Sequence, residues 1–170
     1  IVLPVASSGI ASLLLPGGRT FHSMFKCPLE VNETTLCNVP HRSNLAKLMR
    51  KTSLIVWDEI SMAHKHLLGA LLRTLDDVLG PGVQRPTIVL GGDFRQIPPV
   101  VKRGSKAQIV ASSVVRSNIW NKVIKHDLHR NMRVLDVPGA DAYRKWLLSI
   151  GDGDASTKSC QPTPIPPRLL

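Results

Sequence analysis

The chain has 170 residues, of which 43% are hydrophobic and 20% charged. This suits one domain with a buried core and argues against wholesale disorder. No apolar run is long enough to span a bilayer. Three widely spaced cysteines give no disulfide framework and indicate a reducing compartment.

The net charge is +10, and the basic residues are unevenly distributed. One stretch, in which Asp127 is the only acid, contains Lys102, Arg103, Lys106, Arg116, Lys122, Lys125, Arg130 and Arg133. Such a cluster would bind phosphates with a salt-dependent affinity. A basic excess favours nucleic acid as partner, although composition alone leaves a merely basic, soluble surface equally open.

Short apolar runs predict buried strands, in chain order, at residues 1–6, 53–57, 87–90 and 123–128. Helical periodicity and capping residues predict helices at 10–15, 20–25, 41–51 and 64–79, and one that starts near Pro138. Strands that alternate with helices predict an α/β fold, with a parallel sheet covered by helices on both faces.

Polar residues follow three of the predicted strands. They are Ser7-Ser8-Gly9, Asp58-Glu59 and Gly91-Gly92-Asp93. In parallel sheets, ligands bind beyond the carboxyl ends of the strands. The sequence therefore predicts a functional site at this edge.

The pair Asp58-Glu59 ends an apolar strand, which is the Walker B arrangement. In this arrangement Asp58 would hold Mg²⁺, through water, and Glu59 would orient and deprotonate the water that attacks a γ-phosphate. The alternative is a strand that ends in a solvated acidic turn, and for so short a pattern on its own that alternative is usually correct.

The segment after the next strand is longer and more specific. It reads Gly91-Gly92-Asp93-Phe94-Arg95-Gln96-Ile97-Pro98-Pro99-Val100. Glycine lets backbone approach a ligand closely. The neutral amide of Gln96 can donate and accept, so it can contact a phosphate oxygen and the attacking water together.

Four ordered segments resemble motifs of the Pif (petite integration frequency) family of superfamily-one DNA helicases. Residues 57–62 resemble motif II and residues 92–100 motif III. Residues 6–11 with 18–23 resemble the motif Ia region, and 128–133 resemble motif IV. The resemblance covers residues 1–150 and is nearest to the helicases of Helitron-type transposons.

The resemblance implies a RecA-like P-loop NTPase fold, with ATP and Mg²⁺ as cofactors. It implies 5′-to-3′ movement on single-stranded DNA and unwinding of duplex DNA. Asp58 and Glu59 match the magnesium and general-base positions, Gln96 the γ-phosphate sensor, and Arg133 an arginine that stabilises the transferring phosphoryl group. Residues that match a DNA-backbone contact region are Ser8, Gly9, Thr20 and His22.

The family's Walker A loop, G-x-x-x-x-G-K-[ST], does not occur in the 170 residues. We therefore expect an incomplete first motor domain over residues 1–150 and a linker, or the start of a second motor domain, over 151–170. Without that loop, nucleotide affinity should collapse, so this piece alone is expected to be inactive and the activity to belong to the parent protein.

Two other functions stay open at this stage. One is a P-loop ATPase that does not act on DNA, and the other is an inactive, transposon-derived remnant. Roles in replication, repair, recombination, telomere maintenance and transposition are all compatible with the sequence, and nothing in it points to a protein partner. Family resemblance alone suggests the nucleus of a eukaryotic cell, with the mitochondrion as a second option.

Overall fold

The computed structural model describes residues 1–128, 132 and 140–152. The chain divides into two compact units, Ile1–Val123 and Ile124–Leu170. The first unit contains the sheet and most of the helices. Among the described residues, no helix combines the length and the apolar character that crossing a membrane requires.

The first unit is built on a parallel sheet. Its strands are β1 (Val2–Ala6), β2 (Arg19–Thr20), β3 (Leu54–Asp58) and β4 (Thr87–Leu90). Their order across the sheet is β2-β1-β3-β4, and each neighbouring pair is parallel. The predicted α/β parallel-sheet fold is confirmed, and three of the four predicted strands are present. The sequence did not reveal β2, because two residues are too few to show a pattern.

Among the described residues of the first unit, four helices join these strands and a fifth follows β4. They are α1 (Gly9–Leu13), α2 (Phe21–Phe25), α3 (Asn44–Arg50), α4 (Lys65–Leu79) and α5 (Lys106–Ser112). Single turns of 3₁₀ helix lie at Ile60–Met62, Val114–Arg116 and Trp120–Lys122. In the second unit, α6 (Ala140–Gly151) matches the helix predicted after Pro138.

The predicted strand at residues 123–128 is wrong. These residues have no regular secondary structure, and Ile124 and Leu128 are 82% and 99% exposed. The run also contains Lys125, His126 and Asp127, so its apolar side chains are too few and too scattered to form a buried face.

The core lies on one face of the sheet. Leu3 and Val5 of β1 and Ile55 and Trp57 of β3 are buried there. The amphipathic helix α4 contributes a row of buried side chains, namely Leu67, Leu68, Leu71, Leu75 and Val78. Burying each such side chain stabilises the fold by roughly 1.5–3 kcal/mol. This packing holds β1 and β3 side by side, with their carboxyl ends at one edge.

Candidate functional site

The carboxyl ends of β1, β3 and β4 meet at one edge of the sheet, as predicted. Ala6 pairs with Asp58, and Trp57 pairs with Leu90. Beyond these pairs, the Ser7 amide donates to the Asp58 carbonyl at 3.1 Å and the Gly91 amide donates to the Trp57 carbonyl at 2.8 Å. The polar segments that follow the three strands therefore start next to one another.

Asp58 is half-buried at the last position of β3. Its Oδ1 accepts a hydrogen bond from the Glu59 amide at 2.9 Å, which fixes the carboxylate. The segment after β4 leaves room for it because position 91 is glycine. A Cβ at Gly91 would lie 3.2 Å from Oδ1 of Asp58.

Glu59 has an unusual backbone and an unusual side chain. Its φ of 54° and ψ of 41° place it in the left-handed region, which costs a residue other than glycine about 1–3 kcal/mol. The next amide, of Ile60, donates to the Gly91 carbonyl at 2.9 Å and so holds the turn. Oε2 of Glu59 is buried and has no hydrogen-bond partner among the described residues. It is an acceptor with unmet capacity, as a carboxylate that receives a proton from water would be.

A stacked pair of buried aromatic rings holds the carboxyl end of β3 in the core. Trp57 is completely buried and stacks on Phe21 of α2, with ring centroids 4.0 Å apart and planes 10° from parallel. Its indole Nε1 donates to Oγ of Ser7 at 3.0 Å, which links β3 to the segment after β1. This anchor could not be predicted, because local spacing in a sequence does not show contacts between distant parts of a chain.

The segment after β4 passes close to the turn after β3. A Cβ at Gly92 would lie 3.1 Å from both Cγ2 of Ile60 and the amide nitrogen of Ser61, so only glycine fits there without displacing the turn. Asp93 then organises the following residues. Its side chain accepts from the Arg95 amide at 2.9 Å and from Nε2 of Gln96 at 3.3 Å. Gln96 itself is exposed.

The predicted DNA-contact residues lie near the same edge, and three of them have local structural roles. Oγ of Ser8 caps α1 by accepting from the Ala11 amide at 3.2 Å, and Oγ1 of Thr20 caps α2. Nδ1 of His22 lies 3.2 Å from the Cys27 carbonyl oxygen. Gly9 is exposed, with open space around it. A DNA contact by any of the four stays a prediction.

The carboxylates of Asp58 and Glu59 suit Mg²⁺ better than they suit a metal ion that needs three or four protein side chains as ligands. Among the described residues, no group of three or more His, Cys, Asp or Glu side chains could hold a metal ion. Mg²⁺ typically uses one or two carboxylates and completes its shell with water and phosphate oxygens. Asp58 and Glu59 offer that donor set. Arg133, the predicted phosphoryl-stabilising arginine, lies outside the described residues, as does Arg130.

Comparison with known proteins gives consistent matches. The family model described as PIF1-like helicase matches residues 1–161. The chain is 34% identical over 166 residues to the ATP-dependent DNA helicase PIF1 of Candida albicans, with 90% of this chain and 18% of the relative covered. It is 27% identical over 160 residues to the ATP-dependent DNA helicase RRM3 of Saccharomyces cerevisiae, covering 85% of this chain and 21% of the relative.

The fold is also that of a solved helicase. The crystal structure of Pif1 helicase from Bacteroides in complex with ADP-AlF3 and ssDNA superposes with a TM-score of 0.72 at 20% identity, covering 96% of this chain and 41% of that one. This chain thus spans less than half of that protein and about a fifth of each of the two relatives above.

Proposed function

The chain belongs to the PIF1-like helicase family, and we propose that it forms the part of an ATP-dependent DNA helicase that hydrolyses ATP. The observation that carries the proposal is the end of β3, where Asp58 and Glu59 lie beside the segments after β1 and β4. The residue pattern alone could be a solvated turn. Instead the Glu59 carboxylate is half-buried, with one oxygen fully enclosed and unpaired.

Asp58 and Glu59 have different tasks in this proposal. Asp58, fixed by the Glu59 amide, holds Mg²⁺ through water. Glu59 orients the attacking water and accepts its proton, and the buried Oε2 is the available acceptor. When bound, Mg-ATP would supply the phosphoryl group, and the metal ion would neutralise charge on its oxygens. The left-handed backbone at Glu59 sets the direction of this side chain.

Gln96 and Arg133 complete the proposed machinery. Gln96 senses the γ-phosphate and passes the nucleotide state to the DNA-binding parts of the protein. Its position supports this role, because Gly92 packs against the turn that follows Glu59 while Gln96 is exposed four residues further on. Arg133 is proposed to stabilise charge on the transferring phosphoryl group.

Single-stranded DNA is the proposed track, with 5′-to-3′ movement and duplex unwinding as the outcome. The relatives above are named ATP-dependent DNA helicases, and the net charge of +10 supports a polyanionic partner. Backbone amides and small polar side chains near Ser8, Gly9, Thr20 and His22 can hold phosphates without reading sequence. A nuclear or mitochondrial location and kinship with Helitron helicases are further parts of the proposal.

The experiment is ATP hydrolysis by the full-length protein, with and without single-stranded DNA. Glu59→Gln keeps the size and polarity of the side chain but removes the base, so turnover should fall by roughly 10²-fold or more while ATP binding persists. Glu30→Gln is the matched control, because Glu30 is exposed in a loop and should not affect turnover.

Three results would overturn parts of this proposal. Full turnover in Glu59→Gln would remove Glu59 as the base. Turnover in the wild-type protein that DNA does not raise would favour an ATPase that acts on something other than DNA. The absence of any ATP binding by the full-length protein would favour an inactive remnant.

A further inference from the structure

We propose that the groove along α5 holds a segment of single-stranded DNA, beyond the contacts expected near β1 and β2. The inference rests on the proposed function, since it names a second place where the same polymer binds. The groove consists of two adjoining depressions, both within the first unit.

The first depression is a basic pocket of about 750 Å³. Its floor is one side of α5, formed by Ala107, Val110 and Ala111. Three cations surround this floor from different elements: Lys106 from the start of α5, Lys65 from the start of α4, and Arg116 from the 3₁₀ turn after α5. No acidic residue is among the described residues that line it.

The second depression, of about 360 Å³, extends the groove towards the nucleotide edge. Val110 and Arg116 line both depressions, so the two lie next to each other. The far end of the second is formed by Phe94 and Pro98, which belong to the same segment as Asp93 and Gln96. The lining residues of the groove therefore extend from Phe94 and Pro98, which flank the proposed γ-phosphate sensor Gln96 in sequence, to Lys65.

Phe94 gives the groove a surface on which a base can stack. Its side chain is 48% exposed although it is aromatic. Trp120 supports it with an edge-to-face contact, with ring centroids 5.4 Å apart and planes at 74°. Base–aromatic stacking contributes about 1–3 kcal/mol per base and tolerates any sequence.

Charge favours a polyanion in the groove. Lys65, Lys106 and Arg116 line the first depression, Arg116 also lines the second, and no acidic residue is among the described residues that line either. Cations that pair with phosphates, together with an exposed aromatic ring, are the features of sites that bind single strands without sequence preference. An acidic protein segment would also be attracted by these cations. It would not, however, make use of the exposed ring of Phe94, on which a base can stack.

The test is the salt dependence of binding of a fluorescent oligothymidylate to the full-length protein. In the triple variant Lys65→Ala, Lys106→Ala, Arg116→Ala, affinity should fall, and the slope of log K against log salt should become shallower by about 2, or roughly 0.7 for each phosphate contact. The charge-conserving variant Lys65→Arg, Lys106→Arg, Arg116→Lys should bind nearly as the wild type does.

The matched control removes the same charge elsewhere. Arg42→Ala, Lys47→Ala, Lys51→Ala changes three exposed cations on and beside α3, which do not line the groove. ATP hydrolysis without DNA should be equal in all variants, because none of the six residues belongs to the proposed catalytic machinery.

The outcomes separate this proposal from the general one. If the groove variant and the control variant lose affinity and slope equally, the groove is not a DNA site, even though the protein binds DNA. Loss of poly-glutamate binding in the groove variant, with DNA affinity unchanged, would assign the groove to an acidic protein and overturn the proposal. If the wild-type protein binds no DNA, the proposed function itself fails.

Discussion

The ends of β3 and β4 lie side by side but are held in place differently. The end of β3 rests on a fully buried tryptophan, bonds to both neighbouring strands, and turns through the strained backbone at Glu59. The segment after β4 contacts the turn after β3 at Gly92, has local hydrogen bonds centred on Asp93, and packs Phe94 edge-on against Trp120. Its residues 94–98 are exposed.

This difference fits the division of labour that we propose. A general base must stay within about a hydrogen-bond length of the water that it deprotonates, so its support has to be rigid. A sensor must respond to the nucleotide and transmit the change, so it gains from weaker ties to the core. Glu59 is thus held by the buried core, while the exposed side chain of Gln96 is held by a hydrogen bond to Asp93 in its own segment.

Trp57→Ala should have the largest effect on this arrangement. It removes a fully buried ring, its stack on Phe21 and its bond to Ser7. The free energy of unfolding should fall by about 3–5 kcal/mol, as measured by chemical denaturation of the full-length protein.

Phe94→Ala is the comparison from the exposed segment. Phe94 is half exposed and contacts Trp120 through one edge, so the loss should be about 1 kcal/mol. Equal destabilisation by the two variants would show that the segment after β4 belongs to the core as firmly as β3 does.

Sequence reasoning found the residues of the site more easily than their support. Apolar runs bounded by polar residues located β1, β3 and β4, and a parallel sheet then required their carboxyl ends to share an edge. The stack of Trp57 on Phe21 joins distant parts of the chain and leaves no local pattern. The helix α5 was missed because it has only seven residues, of which just Ile109 and Val110 are large and apolar, so its pattern is too short to recognise.

The backbone of Glu59 could not be predicted either. Glutamate has no preference for positive φ, and its neighbours hold it there through the bond between Ile60 and Gly91. The wrong strand at residues 123–128 has a different origin. Lys125, His126 and Asp127 interrupt that run, so its pattern was weaker than those of the three strands that were found.

Gln96→Ala should have a smaller effect that leaves the fold intact. The side chain is exposed and bonds to Asp93 at 3.3 Å, so stability should stay within about 0.5 kcal/mol of wild type. ATP binding should persist, while the stimulation of hydrolysis by single-stranded DNA and the dependence of DNA affinity on nucleotide should both weaken.

Gln84→Ala is the control, because Gln84 is also an exposed glutamine, in the loop before β4. It should leave coupling unchanged. If the wild-type protein binds DNA with the same affinity in the presence and absence of nucleotide, Gln96 has no coupling to transmit and the assigned role is wrong.

The smallest effect concerns His64, which follows the 3₁₀ turn after β3 and is the N-cap residue of α4. Its Nδ1 accepts from the His66 amide at 3.3 Å, so the cap requires an unprotonated nitrogen. Burial, reinforced by the nearby charges of His66 and Lys65, lowers the pKa of His64 below its ordinary value.

In the unfolded chain, His64 takes up a proton near pH 6.5, its ordinary pKa. In the folded protein it takes up the proton only at a lower pH. The stabilisation by neutral His64 is present above about pH 6.5 and is lost as pH falls below that value. His64→Asn keeps a good capping residue that does not titrate. The free energy of unfolding, measured by urea denaturation, should fall more in the wild type than in His64→Asn when the pH is lowered from about 7.5 to about 5. Equal losses in the two proteins would mean that the start of α4 does not depend on the charge of His64. The cap at His64 would then add nothing to the contacts that hold the turn after β3.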